Sequence, residues 1–204
     1  MFCLNILTFS GCSDKTFSAM EQGKCGKYDR TELYPLLNED GDNVMFNMNL
    51  SYKDLSMDGF LVATMEKNEN GEESVRAVCT AFMGMTLFDF TITDKDFVVN
   101  SCMEQLDNKM IVRILRKDLV TLFTKNVQSN FKAKKYSHKD FPGTKSGFKM
   151  RTSTGKTKYV VNKEKKMPEH TCVSGGILRA EFNYDDENIV ISHPKLGLKL
   201  SLTK

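Results

Sequence analysis

The stretch that decides the fold runs from residue 44 to residue 52 and reads VMFNMNLSY. Its even positions are apolar, and its odd positions are polar except Met45. Successive side chains of a strand lie on opposite faces, so this alternation predicts a half-buried β-strand. One face of this strand is therefore apolar along its whole length.

Alternating segments recur on both sides of one helical segment. Before it, we predict further strands at residues 60–66, 74–82, 87–92 and 97–101. After it, we predict strands at residues 148–151, 157–161, 177–184, 188–192 and 196–202. About ten strands with one helical insertion indicate an α+β fold, built on a curved antiparallel sheet or barrel.

The predicted helix lies between these two groups of strands. Asp107 can cap it, and apolar residues then recur at three-to-four spacing as far as Phe123. Ile111, Leu115 and Leu119 lie along the resulting stripe. A helix with such a stripe either covers a sheet or lies on a membrane surface, and the sequence leaves both readings open.

The length of 204 residues favours one domain, and no apolar run reaches the roughly 18 residues of a membrane-spanning helix. The net charge of +3 conceals an uneven distribution, because residues 125–166 hold 13 Lys and Arg against Asp140 and Glu164. This segment is either a solvated strand face or a surface for lipid, lipopolysaccharide or nucleic acid. Lysine predominates, and bidentate recognition prefers arginine, so nucleic acid is the least favoured partner.

The amino terminus reads as a processing signal. Residues 2–9 are mostly apolar, and Ser10, Gly11 and Cys12 follow before a polar stretch. A short apolar run followed by small residues is typical of a secretory signal with its cleavage site. We expect a lipoprotein signal peptide at residues 1–11, truncated at its start because no Lys or Arg precedes the apolar run. The alternative is a buried first strand with an incidental cysteine.

The remaining cysteines leave the redox state open. If Cys12 is acylated and Cys3 is removed with the signal, four cysteines remain, which allow three disulfide pairings. They are Cys25, Cys79, Cys102 and Cys172. Cys79 lies in a strand-like run, where a small buried apolar residue is expected.

Motifs for catalysis or metal binding are lacking. His138, His170 and His193 have neither an i,i+4 partner nor zinc-ligand spacing, and no G-x-S-x-G segment occurs. Residues 152–157 read TSTGKT and end like a phosphate-binding loop, but the first glycine of that motif is missing and a strand-like run follows. We therefore expect a hairpin turn there, no enzyme activity, no metal and no cofactor.

The order of these patterns resembles the LolB-like outer-membrane lipoproteins, and more broadly the LolA/LolB unclosed-barrel family. Four parts of the chain carry the resemblance. They are Cys12, which resembles a lipidated amino terminus; the two strands and short loop at 75–90; the helical segment at 104–123; and the closing strands at 188–202. The resemblance implies a lipidated leader at residues 12–42 and a half-open barrel domain at residues 43–204, covered by the helical insertion.

The same resemblance implies a hollow that holds acyl chains. Its expected lining is Phe46, Met48, Leu50, Phe88, Phe90, Ile111, Leu115 and Leu119. It also implies that the short loop at Phe82 and Met83 presents an exposed apolar side chain to the membrane, although these residues also fit a packed strand end.

The implied function is that of a lipid-anchored receptor or carrier in lipoprotein localisation at the outer membrane, on its periplasmic face or at the cell surface. Its expected partners are lipids or lipidated proteins, a periplasmic lipoprotein carrier, and the membrane that holds its amino-terminal anchor, with no nucleic acid. The alternative is a structural or interaction lipoprotein of the cell envelope with a packed barrel.

Replacing Cys12 with Ser tests the anchor. We expect the variant to leave the membrane fraction of cells, because it loses the thiol that would carry the lipid. The multiple acyl chains of a bacterial lipoprotein give stable residence, whereas a single chain binds only marginally. Identical fractionation of the variant and the wild type would remove the anchor hypothesis.

Overall fold

A computed structural model describes residues 20–22, 36–37, 41–67, 69–93, 96–123, 134–138, 145–152, 155–162, 167–173, 176–185 and 187–204. The strands are β1 (Met20–Gln22), β2 (Asn43–Tyr52), β3 (Leu55–Lys67), β4 (Glu73–Ala81), β5 (Thr86–Thr93), β6 (Phe97–Cys102), β7 (Lys134–His138), β8 (Lys145–Thr152), β9 (Gly155–Asn162), β10 (Met167–Val173), β11 (Ala180–Tyr184), β12 (Asn188–His193) and β13 (Leu198–Thr203). Helix α1 spans Lys109–Phe123, and a 3₁₀ turn spans Gly176–Leu178.

These strands form one antiparallel sheet. Its order is β1-β7-β8-β9-β10-β11-β12-β13-β2-β3-β4-β5-β6, so the chain's last strand pairs with β2 and the sheet ends at β1 and β6. Because β1 and β6 do not pair with each other, the barrel is unclosed. The α+β class and the half-open barrel with one helical insertion are therefore confirmed.

The described sheet has thirteen strands, three more than the sequence indicated. The additional strands are β1, β7 and β10. β7 reads KKYSH and has no apolar alternation, while the register of β10 shifts between Pro168 and His170. A hydrophobic pattern of period two cannot identify a polar strand such as β7 or a strand with a register shift such as β10.

Several predicted boundaries differ from the observed ones, and two of these differences have a local cause. The strand predicted at residues 177–184 begins at Ala180, because Gly176 takes a φ of +62° and starts a turn. The helix is capped by Asn108 and not by Asp107, since the Asn108 Oδ1 accepts a hydrogen bond of 2.9 Å from the Met110 amide. Asp107 instead lies in the preceding turn, where its amide donates to the carbonyl of Met103.

One face of the sheet is apolar from β11 round to β5. Register places the buried residues of neighbouring strands opposite one another, as in Ile191↔Leu200↔Leu50. These side chains and those of helix α1 form a single buried cluster. The face that carries them is called the inner face below, and the helix covers it.

Local irregularities accompany the bending of this sheet. Register shifts occur between Cys79 and Thr80 in β4 and between Asp89 and Phe90 in β5, and such bulges bend a strand. At Gly59 the backbone of β3 lies very close to that of β4, and a Cβ at this position would overlap the carbonyl oxygen of Thr80. Within the described part of the chain, no helix has the length and apolar character needed to cross a bilayer.

The three described cysteines of the domain are free thiols: Cys79, Cys102 and Cys172. Each pairing considered for four cysteines would join two of these three, so the structure contains none of those pairings. Burial raises the pKa of the Cys79 thiol to about 12, which makes it a poor nucleophile.

Candidate functional site

The expected lining of the hollow comes together in the structure. Its strand residues, Phe46, Met48, Leu50, Phe88 and Phe90, share the inner face of β2 and β5 and have exposures of 0–2%. Its helix residues belong to the same buried cluster: Ile111, Leu115 and Leu119. The structure thus places the apolar stripe of helix α1 over the sheet face that the sequence predicted to be apolar.

The space between these residues is filled. Leu50, Phe88, Phe90, Leu115 and Leu119 have zero exposure. A water-sized void beside a side chain would give it accessible surface, so each of these has protein atoms on every side. The Phe88 and Phe90 rings stack at 4.7 Å, and Phe97 packs on Phe90 at 4.9 Å. Around these five residues the covered interior is therefore a packed core.

Helix α1 is also tied to the sheet by polar contacts. The Nε2 of His193 in β12 lies 2.8 Å from the Oδ2 of Asp118, and both side chains have zero exposure. Beside them, the Nζ of Lys117 donates a 2.9 Å hydrogen bond to the carbonyl of Leu178 in the 3₁₀ turn. These contacts hold the helix against the end of β12 and against the 3₁₀ turn that precedes β11.

The Asp118–His193 pair is incompletely satisfied. The Oδ1 of Asp118 and the Nδ1 of His193 are buried and have no hydrogen-bond partner among the described residues. A buried polar atom without a partner costs about 1–3 kcal/mol. Burial also raises the pKa of the Asp118 carboxyl, in spite of the opposing effects of His193 and Lys117. The packing of the helix against the sheet therefore carries a free-energy penalty at this pair.

Sequence reasoning missed this pair. Asp118 and His193 are 75 residues apart, and neither lies in a motif. The available signal was an acidic residue beside the apolar stripe of the helix, together with a histidine that continues the alternation of Ile189 and Ile191 in β12. Pairing them requires the register of the folded sheet, so the sequence alone gave no reason to join them.

Phe82 and Met83 lie in the turn between β4 and β5, where Gly84 has a φ of +82°. Their exposures are 63% and 97%, and Met85 in the same turn is 55% exposed. The Phe82 ring packs edge-on against Phe60 at 5.0 Å, which steadies the base of the turn. This turn, residues 82–85, is called the apolar tip below, and its contact with a membrane stays a prediction.

The apolar tip lies at one end of the sheet, together with the turns at residues 53–54 and 194–197. Register also places the 3₁₀ turn there, because Val173 pairs with Ala180 and the end of β12 pairs with the start of β11. The exposed side chain of Ile177 projects from that turn with 58% exposure. We call this the tip end; it holds four of the nine large apolar side chains described as exposed.

The signal peptide, Cys12 and almost all of the leader at residues 12–42 lie outside the described residues. The lipid anchor therefore stays a prediction, and so do the boundaries of the leader.

Comparisons with known proteins support the fold alone. No family model matches the sequence, and neither does any curated protein. Among solved structures, a DUF1329 family protein from Desulfovibrio piger is similar, with a TM-score of 0.50 and 7% sequence identity, over 80% of this chain and 83% of that chain. DUF1329 is a family with a LolA/LolB-like fold, so the fold suggested by the sequence resemblance has a structural counterpart.

The raised pKa of Asp118 predicts the pH dependence of stability. The folded state holds this proton more tightly than the unfolded chain, whose carboxyl titrates near ~3.9. The resulting stabilisation is complete below that pH and is lost as the pH rises through the folded-state pKa. We expect the free energy of unfolding of the wild type, relative to Asp118→Asn, to fall by at most ~1.4 kcal/mol per pH unit in this window.

Urea denaturation of both proteins at a series of pH values measures this difference. The Asn variant mimics the protonated carboxyl and has no titrating group at residue 118, so it serves as the reference for the wild type. A difference that stays constant, or that grows in favour of the wild type as the pH rises, would contradict the assignment.

Proposed function

We propose that this protein is a lipid-anchored envelope lipoprotein that takes up acyl chains beneath helix α1 and passes them to a membrane. In this proposal it acts as a receptor or carrier in lipoprotein localisation at the outer membrane, on the periplasmic face or the cell surface. Its partners are lipids or lipidated proteins and a periplasmic lipoprotein carrier. Acyl transfer down a gradient of affinity requires no catalytic residue, metal or cofactor.

The exposed apolar tip is the observation that carries this proposal. Met83 is 97% exposed at the end of a hairpin, next to Phe82 at 63%. Leaving such a side chain in water forgoes about 1.5–3 kcal/mol of burial, so an apolar tip is unfavourable unless it meets an apolar partner. The hydrocarbon of a bilayer or the acyl chain of a cargo provides that partner.

Uptake beneath the helix requires an exchange of contacts. Seven buried apolar side chains hold helix α1 to the sheet: Ile111, Ile114, Leu115, Leu119, Val120, Leu122 and Phe123. At about 1.5–3 kcal/mol each, their burial is worth on the order of 10 kcal/mol. An acyl chain of about 16 carbons gains a comparable ~13 kcal/mol when it is buried. An acyl chain taken up from water can therefore offset the loss of the helix contacts, aided by hydration of Asp118 and His193.

The alternative function is a structural or interaction lipoprotein with a permanently closed barrel. The packed interior favours it, because Phe88, Phe90 and Leu115 already have zero exposure. In that case the apolar tip docks on a protein of the envelope, and lipid never enters the core.

Met83→Glu tests delivery to the membrane. Because Met83 is almost fully exposed, we expect the free energy of unfolding to change by less than ~0.5 kcal/mol. Transfer of a fluorescent acylated peptide from the protein to lipid vesicles should slow by on the order of tenfold or more, because the apolar contact is lost. Stopped-flow fluorescence measures this rate.

Met45→Glu is the matched control, because Met45 is also exposed, at 61%, but lies on β2 away from the turn. We expect it to transfer the peptide at the wild-type rate. Normal transfer by the stable Met83→Glu variant, or equal slowing by both variants, would overturn the role of the apolar tip.

A further inference from the structure

Polar side chains gather on the inner face of the sheet where β9 to β12 lie beneath helix α1. Four of them carry hydroxyl groups, and the other two are the buried carboxyl and imidazole that join the helix to β12. They are Thr157, Tyr159, Thr171, Tyr184, Asp118 and His193. We call this set the polar cluster; none of its residues belongs to the apolar lining described above.

Backbone register places the four hydroxyl residues on the inner face. Thr171 in β10 has zero exposure and lies opposite Phe182, which belongs to the core. On its other side, Thr171 lies opposite Tyr159 in β9. Thr157 and Tyr184 are each two residues away from one of these positions along their strands, so they share the same face. The polar cluster therefore adjoins the apolar core without a break.

Three buried atoms of the polar cluster have no hydrogen-bond partner among the described residues. They are the Oγ1 of Thr171, the Oδ1 of Asp118 and the Nδ1 of His193. The three residues have exposures of 0–1%. About 90% or more of buried polar groups in native proteins are hydrogen-bonded, so three exceptions in one cluster indicate a place for a polar ligand group.

The two tyrosines connect the buried part of the polar cluster to solvent. Tyr159 and Tyr184 face inward but are only half-buried, whereas Phe88 and Phe90 on the inner face have zero exposure. Burial is the main cause that raises the pKa of the Tyr184 phenol, and the nearby Tyr159 and Asp118 raise it further. A ligand that touches the tyrosines is therefore close to the Asp118 carboxyl as well.

The chemistry of the polar cluster suits a group that accepts hydrogen bonds and carries no charge. Burial raises the pKa of the Tyr159 phenol too, so both phenols keep their protons at neutral pH and can donate to an oxygen atom. A second carboxylate would suffer repulsion from Asp118 and the cost of burying a charge. The nearest cation, Lys117, already donates to the carbonyl of Leu178. An ester or amide carbonyl meets these requirements better than a free carboxylate.

We propose that the polar cluster binds the uncharged carbonyl group at the head of an acyl ester or acyl amide, while the acyl chain lies along the adjoining apolar face. The hydroxyl groups of Tyr159, Tyr184 and Thr171 donate hydrogen bonds to the carbonyl oxygen. The inference rests on the proposed function, because an acyl chain has to enter beneath helix α1. It goes further in stating which part of the ligand is recognised and by which side chains.

The test compares four compounds that carry the same 16-carbon chain as a common probe, a length typical of acyl chains at about 0.8 kcal/mol per buried CH₂. They are 1-palmitoylglycerol, N-palmitoylethanolamine, 1-O-hexadecylglycerol, which lacks the carbonyl group, and palmitate ionised at about pH 8. Isothermal titration calorimetry below the aggregation concentration of each compound measures the affinities. Two hydrogen bonds to the carbonyl each contribute a factor of about five, so we expect the ester or the amide to bind at least tenfold more tightly than the ether. The tighter of the two carbonyl compounds identifies the source of the group, and palmitate should bind more weakly than that compound.

The double variant Thr171→Val and Tyr184→Phe removes two hydroxyl groups and keeps the shapes of the side chains. We expect it to bind the carbonyl compounds no more than about twofold more tightly than the ether, with its affinity for the ether unchanged. Thermal unfolding should show no loss of stability from Thr171→Val, because a buried oxygen without a partner is removed. Tyr159→Phe, at a half-buried position, is a second variant that should lower the same preference.

The matched control is Thr64→Val with Tyr52→Phe, which also removes two half-buried hydroxyl groups. Thr64 lies on the outer face of β3, and Tyr52 lies at the end of β2, so the control should keep the full preference for the carbonyl compounds. Equal loss of preference in both double variants would contradict the proposal.

The outcomes separate this inference from the proposed function. Equal affinity of the wild type for the ester, the amide and the ether would overturn the role of the polar cluster and leave acyl-chain binding standing. Tighter binding of palmitate than of either carbonyl compound would overturn it as well, since an uncharged group is then not preferred. Failure of all four compounds to bind would overturn both.

Discussion

An unclosed sheet with one apolar face has to bury that face against something other than itself. Here the inner face of β11 to β5 is covered by helix α1, and the two form one buried cluster. The contact of Leu115 and Leu119 with this cluster is therefore the interaction on which the remaining structure depends. Without it, the side chains of Phe46, Phe88 and Phe90 would face water, at a cost of about 1.5–3 kcal/mol each.

The same contact determines what the molecule can do. If helix α1 can be displaced, the core beneath it becomes a binding site. If it cannot, only the surface of the protein is available for function. The buried Asp118–His193 contact favours the first case, because Asp118 Oδ1 and His193 Nδ1 have no hydrogen-bond partners within the described part of the chain. The many apolar contacts of the helix favour the second. In the proposed function an acyl chain shifts this balance, because its burial gains a free energy comparable to that of the helix side chains.

Much of the fold could be predicted from the sequence, because its strands alternate clearly. The pattern around Phe46, Met48 and Leu50 gives β2, and the spacing of Ile111, Leu115 and Leu119 gives the helix. Gly84 marks the turn that exposes Met83. All three signals are local. The first two are hydrophobic patterns whose period is set by backbone geometry, and the third is a single glycine.

The parts that the sequence did not reveal depend on contacts between distant segments. β7 is almost entirely polar, so it is held by backbone pairing with β1 and β8, which no side-chain period records. Asp118 and His193 likewise meet only because the helix crosses the sheet at β12.

The most direct test of the account asks whether an acyl chain reaches the covered interior. The chain contains no tryptophan, so a single one introduced at Phe97, which packs on Phe90 at 4.9 Å, reports from the edge of the core. Met45→Trp places the same reporter on the exposed outer face. We predict that a brominated fatty acid quenches the fluorescence of Phe97→Trp far more strongly than that of Met45→Trp. Equal quenching of the two, or quenching of the outer reporter alone, would contradict lipid uptake beneath helix α1.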